Sequence, residues 1–159
     1  MIYTVTLNPS IDYIVHLPAI QLGEVNRIQQ DFKLPGGKGI NVSRILNELE
    51  VENTALGFLG GFTGKYIEDW LEAENSKTHF THVDEATRIN VKIKSGMETE
   101  MNGPGPYLEP AVAEEFLKQF DTLDPENDSV FLAGSKPTSL PDDYYQTIIR
   151  RLTDKGIPF

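Results

Sequence analysis

The sequence contains no cysteine among its 159 residues. Disulfide bonds, thiolate metal sites and a cysteine nucleophile are therefore excluded. No apolar run approaches the roughly 18 residues that a membrane-spanning helix needs. Residues 1–7 have no basic flank and no cleavage-like site, so we expect no secretory leader. Together these absences favour a cytoplasmic protein.

Basic residues are scarce. The sequence has 14 Lys and Arg and 24 Asp and Glu, which gives a net charge of -10. A surface of that sign repels nucleic acid and anionic lipid, so neither is an expected partner. An anionic ligand would need a few basic groups gathered in one place. The length and the 39% apolar content suit one ordinary domain, or most of one, with a closed core.

Segments typical of strands and of helices alternate along most of the chain. Residues 2–7 form a β-branched run that ends in a turn, and residues 54–59 and 129–133 are further apolar strands. Apolar residues at helical spacing predict helices over residues 39–49, 65–74 and 109–120, and over a last helix from Pro141 to a stop at Gly156. In the first helix the apolar stripe consists of Val42, Ile45, Leu46 and Leu49.

This alternation predicts βαβ units, and hence an α/β domain of three layers with helices on both faces of a mainly parallel sheet. Residues 156–159 have the composition of a further strand after a capped helix, so we expect the sheet to be truncated at the C-terminus.

Residues 12–33 and 88–101 interrupt the alternation with a period-two pattern. In the second segment the apolar Ile89, Val91 and Ile93 alternate with polar residues. A small sheet of this kind must bury its apolar face on a partner, on the main domain or on a ligand between them. We expect a β-sheet lid.

Residues 35–42, with the sequence Pro-Gly-Gly-Lys-Gly-Ile-Asn-Val, join a polar strand to an amphipathic helix. Glycines and Lys38 at a helix N-terminus favour the binding of an anion, and Asn41 can both donate and accept hydrogen bonds to a ligand. The segment is neither a Walker loop, since Gly39 follows the lysine, nor a dinucleotide fingerprint, since Val42 replaces its last glycine. A flexible turn with a solvated lysine is the alternative.

Three further positions could contact a ligand. Asp12 follows the first strand, at the edge where ligands of open α/β sheets bind, although a turn role fits equally well. Arg88 lies with Asn90 and Lys92 on the polar lid face and could hold a phosphate, or be a solvated edge charge. Ser135 lies in a strand-to-helix connection that would suit a phosphate or serve only as a linker. We expect the three histidines, His16, His79 and His82, to have structural roles and not to bind a metal.

Six ordered segments carry a resemblance to a known family: residues 6–12, 35–42, 60–64, 87–91, 102–106 and 134–141. Together they resemble the bacterial 1-phosphofructokinases of the ribokinase-like (phosphofructokinase B) carbohydrate kinases, over the whole chain. The tagatose-6-phosphate kinases are similar over the same stretches. The resemblance implies a ribokinase-like fold and ATP-dependent phosphorylation of fructose 1-phosphate to fructose 1,6-bisphosphate with Mg²⁺.

The resemblance also implies a set of substrate-binding residues and a homodimer formed through the lid. The implied residues are Asp12 for the sugar hydroxyls, Gly36, Gly37, Lys38 and Asn41 for the sugar-phosphate loop, Arg88 and Ser135 near the phosphate, and Arg27 on the first lid segment. No catalytic or metal-binding residue is implied for this chain.

One departure from the family concerns its Gly-Ala-Gly-Asp segment, whose aspartate deprotonates the acceptor hydroxyl. This sequence has no equivalent of that segment and no equivalent of the nucleotide pocket. Phosphoryl transfer requires a positioned nucleotide and metal, so we expect little or no kinase activity from the isolated chain. A non-catalytic sugar-phosphate-binding or dimerisation fragment, or a fragment that folds poorly, are the alternatives.

Overall fold

The computed structural model describes residues 1–159 and contains nine strands and four α-helices. The strands are β1 (Ile2–Thr6), β2 (Ser10–His16), β3 (Gln30–Gly36), β4 (Asn53–Gly60), β5 (Lys77–Thr78), β6 (Thr81–Val83), β7 (Arg88–Ser95), β8 (Met97–Asn102) and β9 (Ser129–Leu132). The helices are α1 (Lys38–Glu48), α2 (Gly61–Ala73), α3 (Pro110–Lys118) and α4 (Tyr144–Lys155), and a 3₁₀ turn over Gln119–Thr122 extends α3.

The main sheet has the strand order β5-β4-β1-β9, with β6 also paired to β4. All of its pairings are parallel, and Val5 of β1 lies opposite Leu56 on one side and Leu132 on the other. Parallel neighbours need crossover connections, which α1, α2 and α3 provide. The predicted mainly parallel sheet is confirmed.

Two apolar clusters lie on opposite faces of this sheet and define three layers. On one face Ile40 of α1 and Ile67 of α2 pack against Ala55 and Leu59. On the other face α3, the 3₁₀ turn and α4 cover the sheet with the larger cluster, in which Phe58 and Phe116 have ring centroids 4.7 Å apart. Burying a side chain of this size contributes about 1.5–3 kcal/mol. The predicted α/β/α layering is confirmed.

The orientation of α1 differs from the predicted one. Its residues in contact with the core are Gly39, Ile40 and Ser43, whereas Ile45 is 57% exposed and Leu49 is 66% exposed. The cause is a close backbone approach, since a Cβ on Gly39 would lie 2.4 Å from Thr6 Oγ1. Ile40 therefore faces the sheet with the small residues Gly39 and Ser43, whereas Val42 and Leu46 of the predicted stripe are only half-buried.

Two helices begin at other residues than predicted. Helix α2 already starts at Gly61, four residues before the predicted Lys65. Helix α4 starts at Tyr144 and not at Pro141, because the carbonyl of Pro141 accepts the Tyr144 N–H in a separate turn at 3.1 Å. The predicted stop at Gly156 is confirmed, with a left-handed φ of 73°.

A second, smaller sheet has the order β3-β2-β7-β8 and is formed by the two segments with period-two patterning. Strands β2 and β7 are parallel, and the outer pairs are antiparallel. Alternation puts Asp12 and Lys92 on one face and Ile89, Val91 and Ile93 on the other. This small sheet is joined to the main domain where Ile11 packs into the cluster under α1 and α2.

Strand β9 forms one edge of the main sheet. The N–H of Val130 donates to the carbonyl of Pro158 at 2.9 Å, so residues after α4 return alongside β9. Phe131 on this edge is 44% exposed. None of the helices has the length and apolar composition that crossing a membrane requires.

Candidate functional site

A cavity of about 390 Å³ lies between the carboxyl ends of β1 and β9, the start of α1 and the polar face of the small sheet. Ligands of open parallel sheets bind at this edge, where the strands end. Its lining contains no hydrophobic residue. The lining residues are Thr6, Asn8, Ser10, Asp12, Gly37, Lys38, Asn41, Arg88, Asn90, Lys92, Glu100, Asn102, Gly134 and Ser135.

Six of the eight predicted binding residues line this cavity: Asp12, Gly37, Lys38, Asn41, Arg88 and Ser135. Gly36 is not in the lining but is adjacent to it, because a Cβ at this position would lie 2.5 Å from the Asp12 carboxylate. Arg27 lies elsewhere, in the exposed loop between β2 and β3. Within this chain the structure therefore gathers every predicted residue except Arg27 around one space.

The glycine-lysine segment forms the turn from β3 into α1. Gly37 has φ 119°, and a Cβ on it would lie 2.5 Å from Thr6 Cγ2, so only glycine allows this approach. Thr6 Oγ1 accepts the N–H of Ile40 at 2.8 Å and so fixes the first turn of the helix against β1. The positive end of the α1 dipole and the Lys38 side chain consequently lie at the cavity wall.

Asp12 is held by two side chains of the small sheet. Ser10 Oγ donates to Asp12 Oδ1 at 2.8 Å, and Lys92 Nζ lies 3.5 Å from Asp12 Oδ2. The Asp12 side chain is 16% exposed, and that exposed part faces the cavity. Each carboxylate oxygen can accept more than one hydrogen bond, so Asp12 retains acceptor capacity for hydroxyl groups of a ligand.

Arg88 connects the small sheet to the turn after β1. Its Nε and Nη2 donate to the carbonyl of Asn8 at 3.2 and 3.0 Å, and its Nη1 donates to the carbonyl of Gly103 at 3.1 Å. Burial lowers the pKa of Arg88, and the nearby Asp12 carboxylate acts in the opposite sense. A guanidinium has five N–H groups, so two remain for a ligand.

The local charge differs in sign from that of the whole chain. The cations Lys38, Arg88 and Lys92 outnumber the carboxylates Asp12 and Glu100 in the lining, although the net charge of the chain is -10. Several donors around a space with an excess positive charge can hold a phosphate, while Asp12 can hold hydroxyls.

Several lining residues were not identified as binding residues from the sequence. Asn8 and Ser10 are buried and follow a strand, where their type indicates only a turn. Glu100 and Asn102 are on β8, whose register with β7 is not evident from the sequence. The usable signal was position, since Asn8 and Gly134 each lie two residues after the carboxyl end of a parallel strand.

A larger cavity, of about 590 Å³, lies between α3 and the β4–β6 edge of the main sheet, with Leu56 and Phe80 in its wall. It contains none of the predicted binding residues. The smaller cavity is the candidate site, because its lining combines cations, a carboxylate and a helix N-terminus. No group of three or more His, Cys, Asp or Glu side chains lies close enough together to hold a metal ion through side chains alone.

The sequence pattern of the pfkB family of carbohydrate kinases matches residues 5–159. The chain therefore belongs to the pfkB carbohydrate kinase family. It is 56% identical to the 1-phosphofructokinase of Bacillus subtilis (strain 168) over 148 residues, which cover 93% of this chain and 48% of that protein.

Solved structures give the same fold. A Staphylococcus aureus protein described as a phosphofructokinase has a TM-score of 0.90 at 48% identity, over 99% of this chain and 51% of that one. The phosphofructokinase-2 of Escherichia coli, in complex with fructose-6-phosphate, has a TM-score of 0.90 at 27% identity, over 98% of this chain and 52% of that one. The chain thus spans about half the length of these relatives. The expected ribokinase-like fold is confirmed.

Proposed function

We propose that this chain is the sugar-phosphate-binding part of a 1-phosphofructokinase, which transfers a phosphoryl group from ATP to fructose 1-phosphate and forms fructose 1,6-bisphosphate. The observation that carries the proposal is the polar cavity, in which Asp12 faces Lys38 and Arg88. A phosphorylated ketose combines hydroxyl groups, which a carboxylate accepts, with a phosphate, which cations and helix N-terminal amides bind.

The identity of the sugar phosphate is proposed from the relatives. The Bacillus subtilis relative, at 56% identity, is a 1-phosphofructokinase, which favours fructose 1-phosphate. The Escherichia coli phosphofructokinase-2, at 27% identity, has been crystallised with fructose-6-phosphate. Tagatose 6-phosphate is the remaining candidate, from the resemblance of the sequence to tagatose-6-phosphate kinases.

Isothermal titration calorimetry of the purified chain with fructose 1-phosphate, fructose 6-phosphate and tagatose 6-phosphate tests the proposal. We expect the tightest binding for fructose 1-phosphate and its loss in Asp12→Ala. Asp31→Ala is the matched control, because Asp31 lies on the same small sheet but pairs with Lys33 outside the cavity. A folded chain that binds none of the three sugars would contradict the proposal.

The phosphoryl donor in this proposal is ATP with Mg²⁺, as membership in a kinase family implies. Phosphoryl transfer also needs a base and a metal-bound nucleotide held in line with the acceptor. Because this sequence has no equivalent of the family's Gly-Ala-Gly-Asp segment or of its nucleotide pocket, we expect these 159 residues to bind the sugar without turning it over. A coupled assay with ATP and Mg²⁺ that gives substantial turnover on this chain alone would overturn that expectation.

We further propose a homodimer through the apolar face of the small sheet. Ile89 is 44% exposed and Met101 is 55% exposed on this face. A patch of this kind in a soluble protein favours burial in a symmetric contact. Ile89→Asp should convert a dimer into a monomer in analytical ultracentrifugation, whereas Ile45→Asp, on the exposed side of α1, should not. A wild-type chain that sediments as a monomer at all concentrations would refute the dimer.

A further inference from the structure

Three consecutive hydrogen bonds connect the Asp12 carboxylate to the backbone of Gly103. The N–H of Gly103 donates to Asn90 Oδ1 at 3.1 Å, Asn90 Nδ2 donates to Ser10 Oγ at 3.3 Å, and Ser10 Oγ donates to Asp12 Oδ1 at 2.8 Å. Asn90 is 7% exposed and Ser10 is 1% exposed. Hydrogen bonds shielded from water in this way are strengthened and hold a fixed geometry.

The register of the small sheet brings these groups together. Asp12 of β2 lies opposite Asn90 of β7, and Asn90 lies opposite Asn102, the residue before Gly103. Ser10 and Asp12 are two positions apart on β2 and therefore point to the same face. A shift of one residue between β2 and β7 would turn Asn90 to the opposite face and remove the connection.

The direction of every proton in this chain of hydrogen bonds is set by its two ends, the Gly103 N–H, which can only donate, and the Asp12 carboxylate, which can only accept. An N–H can only donate, so Gly103 requires the oxygen of the Asn90 amide on its side and leaves the NH₂ group facing Ser10. The Ser10 hydroxyl must then accept from Asn90, and its single proton is directed to Asp12. The Asp12 carboxylate is therefore linked to Gly103 through hydrogen bonds of a single, consistent direction.

The same residue is also held through its carbonyl. Arg88 Nη1 donates to the carbonyl of Gly103 at 3.1 Å, so Gly103 is fixed by Asn90 on its N–H and by Arg88 on its C=O. Asp12 and Arg88 are the residues proposed for the sugar hydroxyls and the phosphate. Gly103 consequently connects the two ends of the candidate site.

We propose that Ser10 and Asn90 are positioning residues, which orient Asp12 and couple its carboxylate to the Gly103 turn. Their role rests on the proposed binding of a sugar phosphate, because a correctly oriented Asp12 matters only if its free oxygen lone pairs receive ligand hydroxyls. Sugar-phosphate affinity then depends on the relay as a unit and not on Ser10 and Asn90 separately.

A double-mutant cycle with fructose 1-phosphate, followed by calorimetry, tests this unit. Each of Ser10→Ala and Asn90→Ala should weaken binding about tenfold, as expected for one lost hydrogen bond in a buried network. The double variant should bind about tenfold more weakly than the wild type, as each single variant does. The second change removes a hydrogen bond that the first has already made ineffective. Gln30→Ala, which removes an exposed amide from the same sheet, is the control and should bind as the wild type does.

A roughly hundredfold loss in the double variant would mean independent contributions and would overturn the proposal. Wild-type affinity in either single variant would overturn it as well. Ser10→Ala removes a single oxygen from a buried site, so loss of folding, monitored by circular dichroism, is not expected to obscure the result.

Amide exchange at Gly103 provides a readout that needs no ligand. If the relay exists, Ser10→Ala frees the Asn90 amide and speeds exchange of the Gly103 N–H by about fivefold or more, while Gln30→Ala has no effect. Unchanged exchange would overturn the relay, whatever the binding data. If exchange responds but the wild type binds no sugar phosphate, the proposed function fails and the positioning role fails with it, while the relay remains as a structural coupling.

Discussion

Arg88 donates two hydrogen bonds to the backbone carbonyl of Asn8, although the two residues are 80 positions apart in the chain. The contact joins the first residue of β7, in the small sheet, to the turn after β1, in the main sheet. Arg88 is thus a structural bridge between the two sheets as well as a wall of the candidate site.

This double role predicts that Arg88→Lys is not a conservative change. A lysine keeps the charge but carries its donors on a single nitrogen, so it cannot reproduce the three bonds that Nε, Nη1 and Nη2 make to the carbonyls of Asn8 and Gly103. We expect at least about tenfold weaker binding of fructose 1-phosphate and a loss of about 1–3 kcal/mol in the free energy of unfolding. Calorimetry and urea denaturation measure the two effects. Arg150→Lys, at an exposed position on α4, should change neither quantity.

Gly36 should be required for the position of Asp12. A Cβ at this residue would lie 2.5 Å from three atoms of the Asp12 carboxylate, so Gly36→Ala must displace that group. We expect a folded protein with more than about tenfold weaker sugar-phosphate binding, since a displaced carboxylate loses at least one hydrogen bond. Gly96→Asn is the control, because Gly96 has open space around it and a φ of 78°, which asparagine tolerates. Unchanged affinity in Gly36→Ala would contradict the importance of Asp12.

Helix α1 offers a comparison between its buried and its exposed sides. Ile40 is fully buried, so Ile40→Ala should lower the free energy of unfolding by about 2–5 kcal/mol. Ile45 is 57% exposed, so the free energy of unfolding of Ile45→Ala should stay within about 0.5 kcal/mol of that of the wild type. Urea denaturation of both variants measures the difference. Equal losses at the two positions would mean that α1 packs in another orientation.

The hydrogen-bonded Tyr145 hydroxyl leads us to predict that the free energy of unfolding falls at alkaline pH. Its hydroxyl donates to the carbonyl of Gly134 at 2.8 Å, and burial raises the pKa of Tyr145 from its ordinary value of 10.0 to about 12. The protonated form is favoured in the folded state, so its contribution is complete below pH 10 and is lost as the pH rises through about 12. Burial also raises the pKa of Tyr144, which adds to the effect in the same direction.

Denaturation curves at several pH values above neutrality measure this loss. Tyr145→Phe should reduce the fall in unfolding free energy between pH 10 and pH 12, because the group that titrates is removed. Tyr107→Phe, which removes a hydroxyl at a position that is 57% exposed, is the matched control. An identical fall in Tyr145→Phe would assign the alkaline transition to other groups.

The sequence was sufficient for the layers and for six of the fourteen residues that line the cavity. Strands of apolar residues alternate with helical stripes, which dictates parallel pairing, and parallel pairing brings the ends of β1 and β9 to one edge. Asp12 and Ser135 both follow such ends, so their position was predictable without knowledge of their contacts.

Other features depend on tertiary contacts that have no local signal. The side of α1 that faces the sheet is decided by the close approach of Gly39 to Thr6, so that Ile45 and Leu49 of the predicted apolar stripe are exposed. The relay through Asn90 depends on the register between β2 and β7, which are far apart in sequence. Arg27 lies in the loop between β2 and β3, and this loop does not reach the cavity of its own chain.

The parallel pairing of β2 with β7 also determines when the candidate site can form during biosynthesis. Strand β2 is complete after residue 16, but it remains without this neighbour until residues 88–95 have left the ribosome. Closing so long a loop is entropically costly, and folding slows as contacts between distant residues become more numerous. We therefore expect the ligand cavity to form late in folding. By then β1, β4 and the helices α1 and α2, which precede β7 in the chain, have already been synthesised.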